Sequence, residues 1–232
     1  MISIIIITLN EEKYVGHLLS DLANQSEKPY EVIVIDSNSV DHTKEVVQRF
    51  SKKLPIVWLT EEKKGPSPAR NKGANTALGD ILIFFDADMR ISDQHFLKKI
   101  KKMIINHPVI FPHIHIENAN KKEKFAEKIM HFTVMLGRFL GQPGARGGCM
   151  IMKNELFKKV HGFNEHLKIA EDFDMVKKLK KEAKLYYADK VQVYESNRRY
   201  RRLGVTKTLW VWTKAGMITF FHKRPGEYQQ VR

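Results

Sequence analysis

Residues 80–90 read DILIFFDADMR. The five apolar residues 81–85 show neither the alternation of a half-buried strand nor the spacing of an amphipathic helix. A run this short, closed by Gly79 before it and by Asp86 and Asp88 after it, predicts a strand buried on both faces, and such strands belong to sheets covered by helices on both sides. Working outward, residues 3–7, 31–35 and 55–59 are apolar runs of the same kind. Between them lie helical patterns. Asn10 is the expected cap of a helix with Val15, Leu18, Leu19 and Leu22 on one face, and Asp41 of one carrying Val46, Val47 and Phe50. Ser67 is the expected cap of a third, with Pro68 at its first position, running through Leu78 to Gly79. The alternation predicts an α/β fold: a doubly wound, mostly parallel central sheet with helices on both faces.

Past residue 90 the pattern loosens. Ser92 is expected to cap a helix with Phe96, Leu97, Ile100 and Ile104 inward, before a strand over 109–116 and an amphipathic helix over 121–140. A glycine-rich turn, GQPGARGG, leads to a strand over 149–152. Asn154 and Gly162 bracket a short helix, residues 171–184 form another with its acidic end first, and residues 185–194 form a strand. One domain over residues 1–195 and a basic, aromatic helical tail over 196–232 are expected.

Composition narrows the classes. In 232 residues, a 43% hydrophobic content with thirteen phenylalanines excludes a disordered chain, and no repeat suggests a solenoid. The net charge of +14 calls for an anionic partner: nucleic acid, phosphorylated metabolite or acidic membrane. Cys149 is the only cysteine, so no internal disulfide forms; it is expected in the core, and the chain suits a reducing cytosol. The N-terminal MISIIIITLNEE lacks a basic leader and a small-residue cleavage site, so it is expected as a first strand, not a secretion signal. No apolar run reaches the roughly 18 to 20 residues of a membrane-spanning helix.

In doubly wound sheets, ligands bind beyond the carboxyl ends of the strands. Polar clusters sit at those ends: residues 8–11, 36–41 and 86–88. Asp86 and Asp88 suit a hard divalent cation, Mg or Mn, that bridges to phosphate, although aspartates also serve as turn residues. Glu171 and Asp172 offer a general base, or else an acidic first helical turn. Arg70, with Lys72, begins a helix near the same crevice and suits a phosphate, or a salt bridge. Neither GxGxxG nor GxxxxGK[ST] occurs, which argues against nicotinamide and ATPase chemistry.

ITLNEE, VIVIDSNSVDHT, PARNKGA, DILIFFDAD, GGCMIMKNELFKKVHGFNE and EDFDM, in this order, resemble the family 2 glycosyltransferases, inverting nucleotide-sugar enzymes of the GT-A fold. The resemblance implies that Thr8, Asn10 and Glu11 line a nucleotide pocket, that Asp36 hydrogen-bonds the base with Asn38 nearby, and that Arg70 lies near base and diphosphate. It implies a metal pair in Asp86 and Asp88, with Asp88 as direct ligand and Asp86 shared with the ribose, though which of the two touches the ion stays open. Asp172 would be the base that deprotonates the acceptor, Glu171 would position it, and Gly147 and Gly148 would border donor sugar and acceptor. Arg198 and Arg199 would contact the diphosphate. SNRRYRR is not the QxxRW of processive synthases, which argues against polymer synthesis. The implied donor is a UDP-, GDP- or dTDP-sugar, and the implied cofactor is Mn or Mg.

Residues 195–232 carry nine Lys or Arg against two Glu. They include LWVWTKAGMITFF, whose Leu209, Trp212, Met217 and Phe220 would share one helix side. The tail, with the helix from Phe125 to Phe139, suits an anionic cytoplasmic membrane face and a glycan or lipid-linked acceptor; docking on the core or a dimer contact would use the same residues. Two rival readings remain at this level. A sugar-nucleotide pyrophosphorylase would carry a glycine-rich signature where ITLNEE stands. A nucleic-acid-binding protein would gain nothing from acidic strand ends, which repel phosphate.

Overall fold

In the computed structural model, residues 1–141, 144–167 and 170–220 are described. Eight strands form one sheet in the order β3-β2-β1-β4-β7-β6-β8-β5. β1 (Ile2–Thr8), β2 (Glu31–Asp36), β3 (Ile56–Thr60) and β4 (Ile81–Asp86) are parallel, and their register sets Thr8 beside Asp36 and Ile7 beside Asp86. Three carboxyl ends therefore finish level, as the apolar runs predict.

The missing polar alternation has a direct cause. Ile4, Ile6, Val32, Val34, Ile83 and Phe85 face one core, packed by α1 (Val15–Ala23) and α4 (Phe96–Met103). Ile5, Ile33, Ile35, Leu82 and Phe84 face the other, against α3 (Pro66–Thr76), α6 (Asn154–Lys159) and α7 (Glu171–Glu182). With both faces covered, every position in these strands is worth burying, at roughly 1.5–3 kcal/mol for each large apolar side chain.

The second half departs from the parallel pattern. β7 (Cys149–Lys153) runs antiparallel between β4 and β6 (Val109–Ile116), and β8 (Leu185–Glu195) runs parallel to β6. A two-residue strand, β5 (Met89–Arg90), was not expected; it pairs antiparallel with β8 and sets Met89 opposite Glu195. It ties the Asp86–Asp88 turn to the segment that opens SNRRYRR, and Ser196 donates its N–H to the Asp88 carbonyl at 3.1 Å. Cys149 is buried opposite Phe85, as a core cysteine.

Several expected caps are displaced. Asn10 does not cap α1, which starts after Tyr14; it sits in the left-handed region at φ 57°. α2 (Thr43–Gln48) is preceded by His42, while Asp41 accepts the Thr43 N–H at 3.0 Å. α3 is entered from Gly65 at φ 115°, with Pro66 and Pro68 in its first turn, so Ser67 lies inside the helix and its buried hydroxyl finds no partner among the described residues. The helix ends at Thr76, and Gly79 passes so close to Ser3 that a Cβ would lie 2.5 Å from its Oγ. Ser92 does not cap α4; Asp93 instead accepts the His95 N–H at 2.8 Å. α5 (Lys121–Phe139) opens with a capping box of Asn120 and Glu123 that the N-x-x-E spacing could have revealed.

The tail continues as α8 (Arg198–Leu203) and α9 (Val205–Phe220). Leu209 and Trp212 pack on Tyr200, Ala126 and Ile116. The side chains of Met217 and Phe220, and residues 221–232, lie outside what the structure describes.

Candidate active site

The loops after β1 and β2 latch onto each other before any ligand is considered. Asn10 donates its N–H to Ser39 Oγ at 2.8 Å and accepts from the Val40 N–H at 2.9 Å, and the Glu11 N–H meets Thr43 Oγ1 at 2.8 Å. Asn10 and Asn38 both take positive φ there, a conformation that non-glycine residues hold only where their surroundings dictate it. Asp36 is buried and accepts from Thr8 Oγ1 at 2.8 Å, from Ser39 Oγ at 2.5 Å and from the Ser39 N–H at 2.8 Å. Ser39 was not singled out from the sequence, although it stands in the same DSNS stretch.

Two arginines organise the acidic groups. Arg70 is only 3% exposed; it donates from Nη1 to Glu171 Oε1 and from Nη2 to Asp86 Oδ1, each at 2.8 Å, and stacks over Phe163. A buried bridge, rather than an exposed salt bridge, thus holds the end of β4 to the start of α7. Arg198 grips Glu11 with both terminal nitrogens, at 2.6 and 2.8 Å, and reaches Asp88 Oδ2 from Nε at 2.9 Å, over the Tyr14 ring. Its partner Arg199 turns to Trp212 instead, 5.6 Å from the ring centre, and is not brought into the crevice. Tyr14 and Phe163 gave no sequence signal beyond being aromatic.

The crevice is overloaded with acid. Glu11, Asp86, Asp88, Glu171 and Asp172 face two guanidiniums, so full ionisation leaves a surplus of negative charge inside a chain of net +14. Burial raises the Asp88 carboxyl to about 7; Arg198 works against this, while Asp86, Glu195 and Glu11 add to it. Asp172 is also pushed above the ordinary carboxylate range, first by burial and then by Glu171, against the pull of Arg70. Its Oδ1 accepts the Phe173 N–H at 2.8 Å.

The two glycines are explained by contact. A Cβ on Gly147 would lie 2.9 Å from Asp172 Oδ2, and one on Gly148 would lie 2.9 Å from the sulfur of Met89. Only residues without side chains let that loop close over Asp172 and the Asp86–Asp88 turn.

Asp86 and Asp88 offer hard oxygen donors in a region short of positive charge, a donor set that fits Mg or Mn. Among the described residues, the groups of three side chains close enough to hold one ion lie elsewhere, around His113. The aspartate pair would therefore need further oxygens from a ligand.

Comparisons bear on this arrangement. The sequence model of Glycosyl transferase family 2 matches residues 3–161. The chain is 28% identical to the poly(ribitol-phosphate) beta-N-acetylglucosaminyltransferase TarS of Staphylococcus aureus over 209 residues, which cover 84% of this chain and 35% of TarS. The crystal structure of TarS in complex with UDP-GlcNAc superimposes at a TM-score of 0.67 and 25% identity, over 84% of this chain and 58% of that one. A dolichyl N-acetyl-alpha-D-glucosaminyl phosphate 3-beta-D-2,3-diacetamido-2,3-dideoxy-beta-D-glucuronosyltransferase of Methanococcus voltae is 39% identical over 102 residues, 42% of this chain and 32% of that protein. The mannosyltransferase PcManGT from Pyrobaculum calidifontis, in complex with GDP-Man and Mn2+, shares the fold with a TM-score of 0.71 at 19% identity, over 98% of this chain and 65% of that one. The chain spans about a third of the length of the two curated relatives.

Proposed function

Because the chain belongs to Glycosyl transferase family 2, we propose that it transfers a sugar from a nucleotide diphosphate sugar to an acceptor hydroxyl, with inversion, in the crevice beyond β1, β2 and β4. The observation that carries this reading is the pairing of a half-buried Asp172, packed against Gly147, with an acidic Asp86–Asp88 turn clasped by Arg70 and Arg198. One wall removes a proton and the other receives a leaving diphosphate.

Asp172 is the base. A carboxylate with raised proton affinity takes a hydroxyl proton more readily than an ordinary one. Glu171, fixed by Arg70, keeps α7 and hence Asp172 in place. Thr8, Asp36, Asn10 and Asn38 hold the nucleoside, with Asp36 already oriented by Thr8 and Ser39. Arg198 turns from Glu11 and Asp88 to the diphosphate as charge develops there; Arg199, stacked on Trp212, is left a supporting part beside α9. Asp86 and Asp88 would hold Mn2+ or Mg2+, which would supply positive charge beside a departing phosphate. The acidic crevice gives no support to a nucleic-acid groove.

The acceptor is a glycan or a lipid-linked saccharide at an anionic membrane face. Support comes from α5, which exposes Phe125, Phe132 and Phe139 one heptad apart, beside Lys121, Lys124 and Lys128. Among the described residues no helix is long and apolar enough to cross a membrane, so contact would be with the surface.

A thermal-shift panel of UDP-, GDP- and dTDP-sugars with and without Mn2+ tests the donor site. Stabilisation by one nucleotide class that needs the ion and disappears in Asp88→Ala is expected; stabilisation that survives both changes removes the metal assignment.

A further inference from the structure

Outside the crevice, β6 and α5 hold a cluster of imidazoles that the transfer chemistry does not use. His113 and His115 are two residues apart on a strand, and Glu127 and His131 are one turn apart on a helix, so each pair shares a face. The faces meet. His113 lies with its ring centre 4.3 Å from that of His115 and 4.6 Å from that of His131. Glu127 Oε1 lies 2.7 Å from His115 Nδ1, and Oε2 accepts the Ile116 N–H at 2.9 Å. On its two sides, His113 has Nε2 3.9 Å from Glu127 and Nδ1 3.9 Å from Asp189. His113, Glu127, His131 and Asp189 line a cavity with Arg138 and Arg146.

Apolar packing holds this contact at one end only, where Ala126 and Ile116 share a small cluster. The buried residues of the nineteen-residue α5 are Glu123 and Ala126. The sheet also departs from regularity at this place: the register of β6 on β8 jumps between Pro112 and His113, from Ala188 to Gln192, and Asp189 stands in the resulting bulge. Bulges commonly re-aim a side chain.

We propose that His113, His131 and Asp189 bind one transition-metal ion of the zinc type, clamping α5 to β6 and β8. Their ligand atoms already lie within 4.8 Å of one another. Bonds of about 2.0–2.2 Å draw them inward through side-chain rotation. Glu127 sits behind His113 as the carboxylate that orients a ligating imidazole. His113, His115 and Glu127 also lie close enough to hold an ion, but that choice gives up the His115–Glu127 hydrogen bond and the carboxylate behind His113. Two nitrogens and one carboxylate select zinc, cobalt or nickel over the Mg or Mn suited to Asp86 and Asp88. Asp189 is mostly exposed, so a fourth position stays open to solvent.

The test is a Co2+ titration of chelator-treated protein, followed by visible absorption. One equivalent giving tetrahedral bands, displaced by Zn2+ and retained in Asp88→Asn, is expected. His131→Gln and Asp189→Asn should each lose the bands and weaken binding at least tenfold; Asp189 is exposed, so its replacement does not threaten folding. Absence of bands in the parent protein, or bands unchanged in both variants, overturns the proposal and leaves a hydrogen-bonded polar contact. Loss of the bands in Asp88→Asn overturns it too, by assigning the ion to the crevice.

Discussion

At the scale of single residues, the proposed function assigns the proton chemistry to one aspartate. Asp172 is half-buried, and this desolvation together with Glu171 and Asp86 raises its proton affinity, so in the proposed role its protonated, inactive form would persist to higher pH than an ordinary carboxylate would allow. Transfer should therefore fall as pH drops through a value above the usual carboxylate range, and a kcat–pH profile at saturating donor reads this limb. Asp172→Asn keeps the shape but cannot accept the proton. It should lose about 10²–10⁴-fold in kcat with donor affinity unchanged, measured by single-turnover transfer beside nucleotide binding; full activity would remove Asp172 as base. The sequence offers EDFDM as a carboxylate pair but not the reason one member is special. That reason is burial under Gly147 and the capture of Glu171 by Arg70, two contacts more than twenty residues distant in the chain.

Among the elements, apolar runs are legible wherever burial on both faces makes them so. β1, β2 and β4 follow from their apolar runs alone, because every apolar residue there meets one core or the other. Caps and the distal strands are less legible. Ser67 looks like a cap beside Pro68, but Gly65 at φ 115° supplies the turn and Pro66 takes the first helical position. β5 is two residues long and exists only because β8 arrives beside it, so no local pattern announces it. Yet β5 and the Gly147–Gly148 loop set how closely the chain packs around Asp88 and Asp172. Gly147→Ala places a methyl 2.9 Å from Asp172 Oδ2 and 3.1 Å from its Cβ. The side chain must shift while the fold and the donor pocket persist. The expected result is a loss in kcat well beyond any change in donor KM, with an unchanged Tm; equal activity in this variant would mean the loop does not set the position of the base.

Across the whole molecule, charge is segregated. The crevice concentrates carboxylates, while α5 and the segment from Arg198 onward concentrate lysine and arginine. A sequence shows the basic excess but not its placement, since α5 and α9 become neighbours only on folding, through a cluster that includes Ala126, Tyr200, Leu209 and Trp212. That packing also revises the amphipathic face imagined for the tail: Leu209 and Trp212 turn toward the protein. Among the described residues, a row of exposed aromatics that could meet a membrane lies on α5, where Phe139 is 87% exposed and Phe125 and Phe132 are each 65% exposed. Cationic side chains beside such a row contribute about 1 kcal/mol each near an anionic bilayer, an attraction that fades with salt. The protein should float with vesicles containing acidic lipid at low salt and release at high salt. Phe125→Ser with Phe132→Ser should abolish flotation while leaving nucleotide binding in the crevice intact. No association with acidic vesicles at low salt would end the membrane reading and direct the search for the acceptor to a soluble glycan.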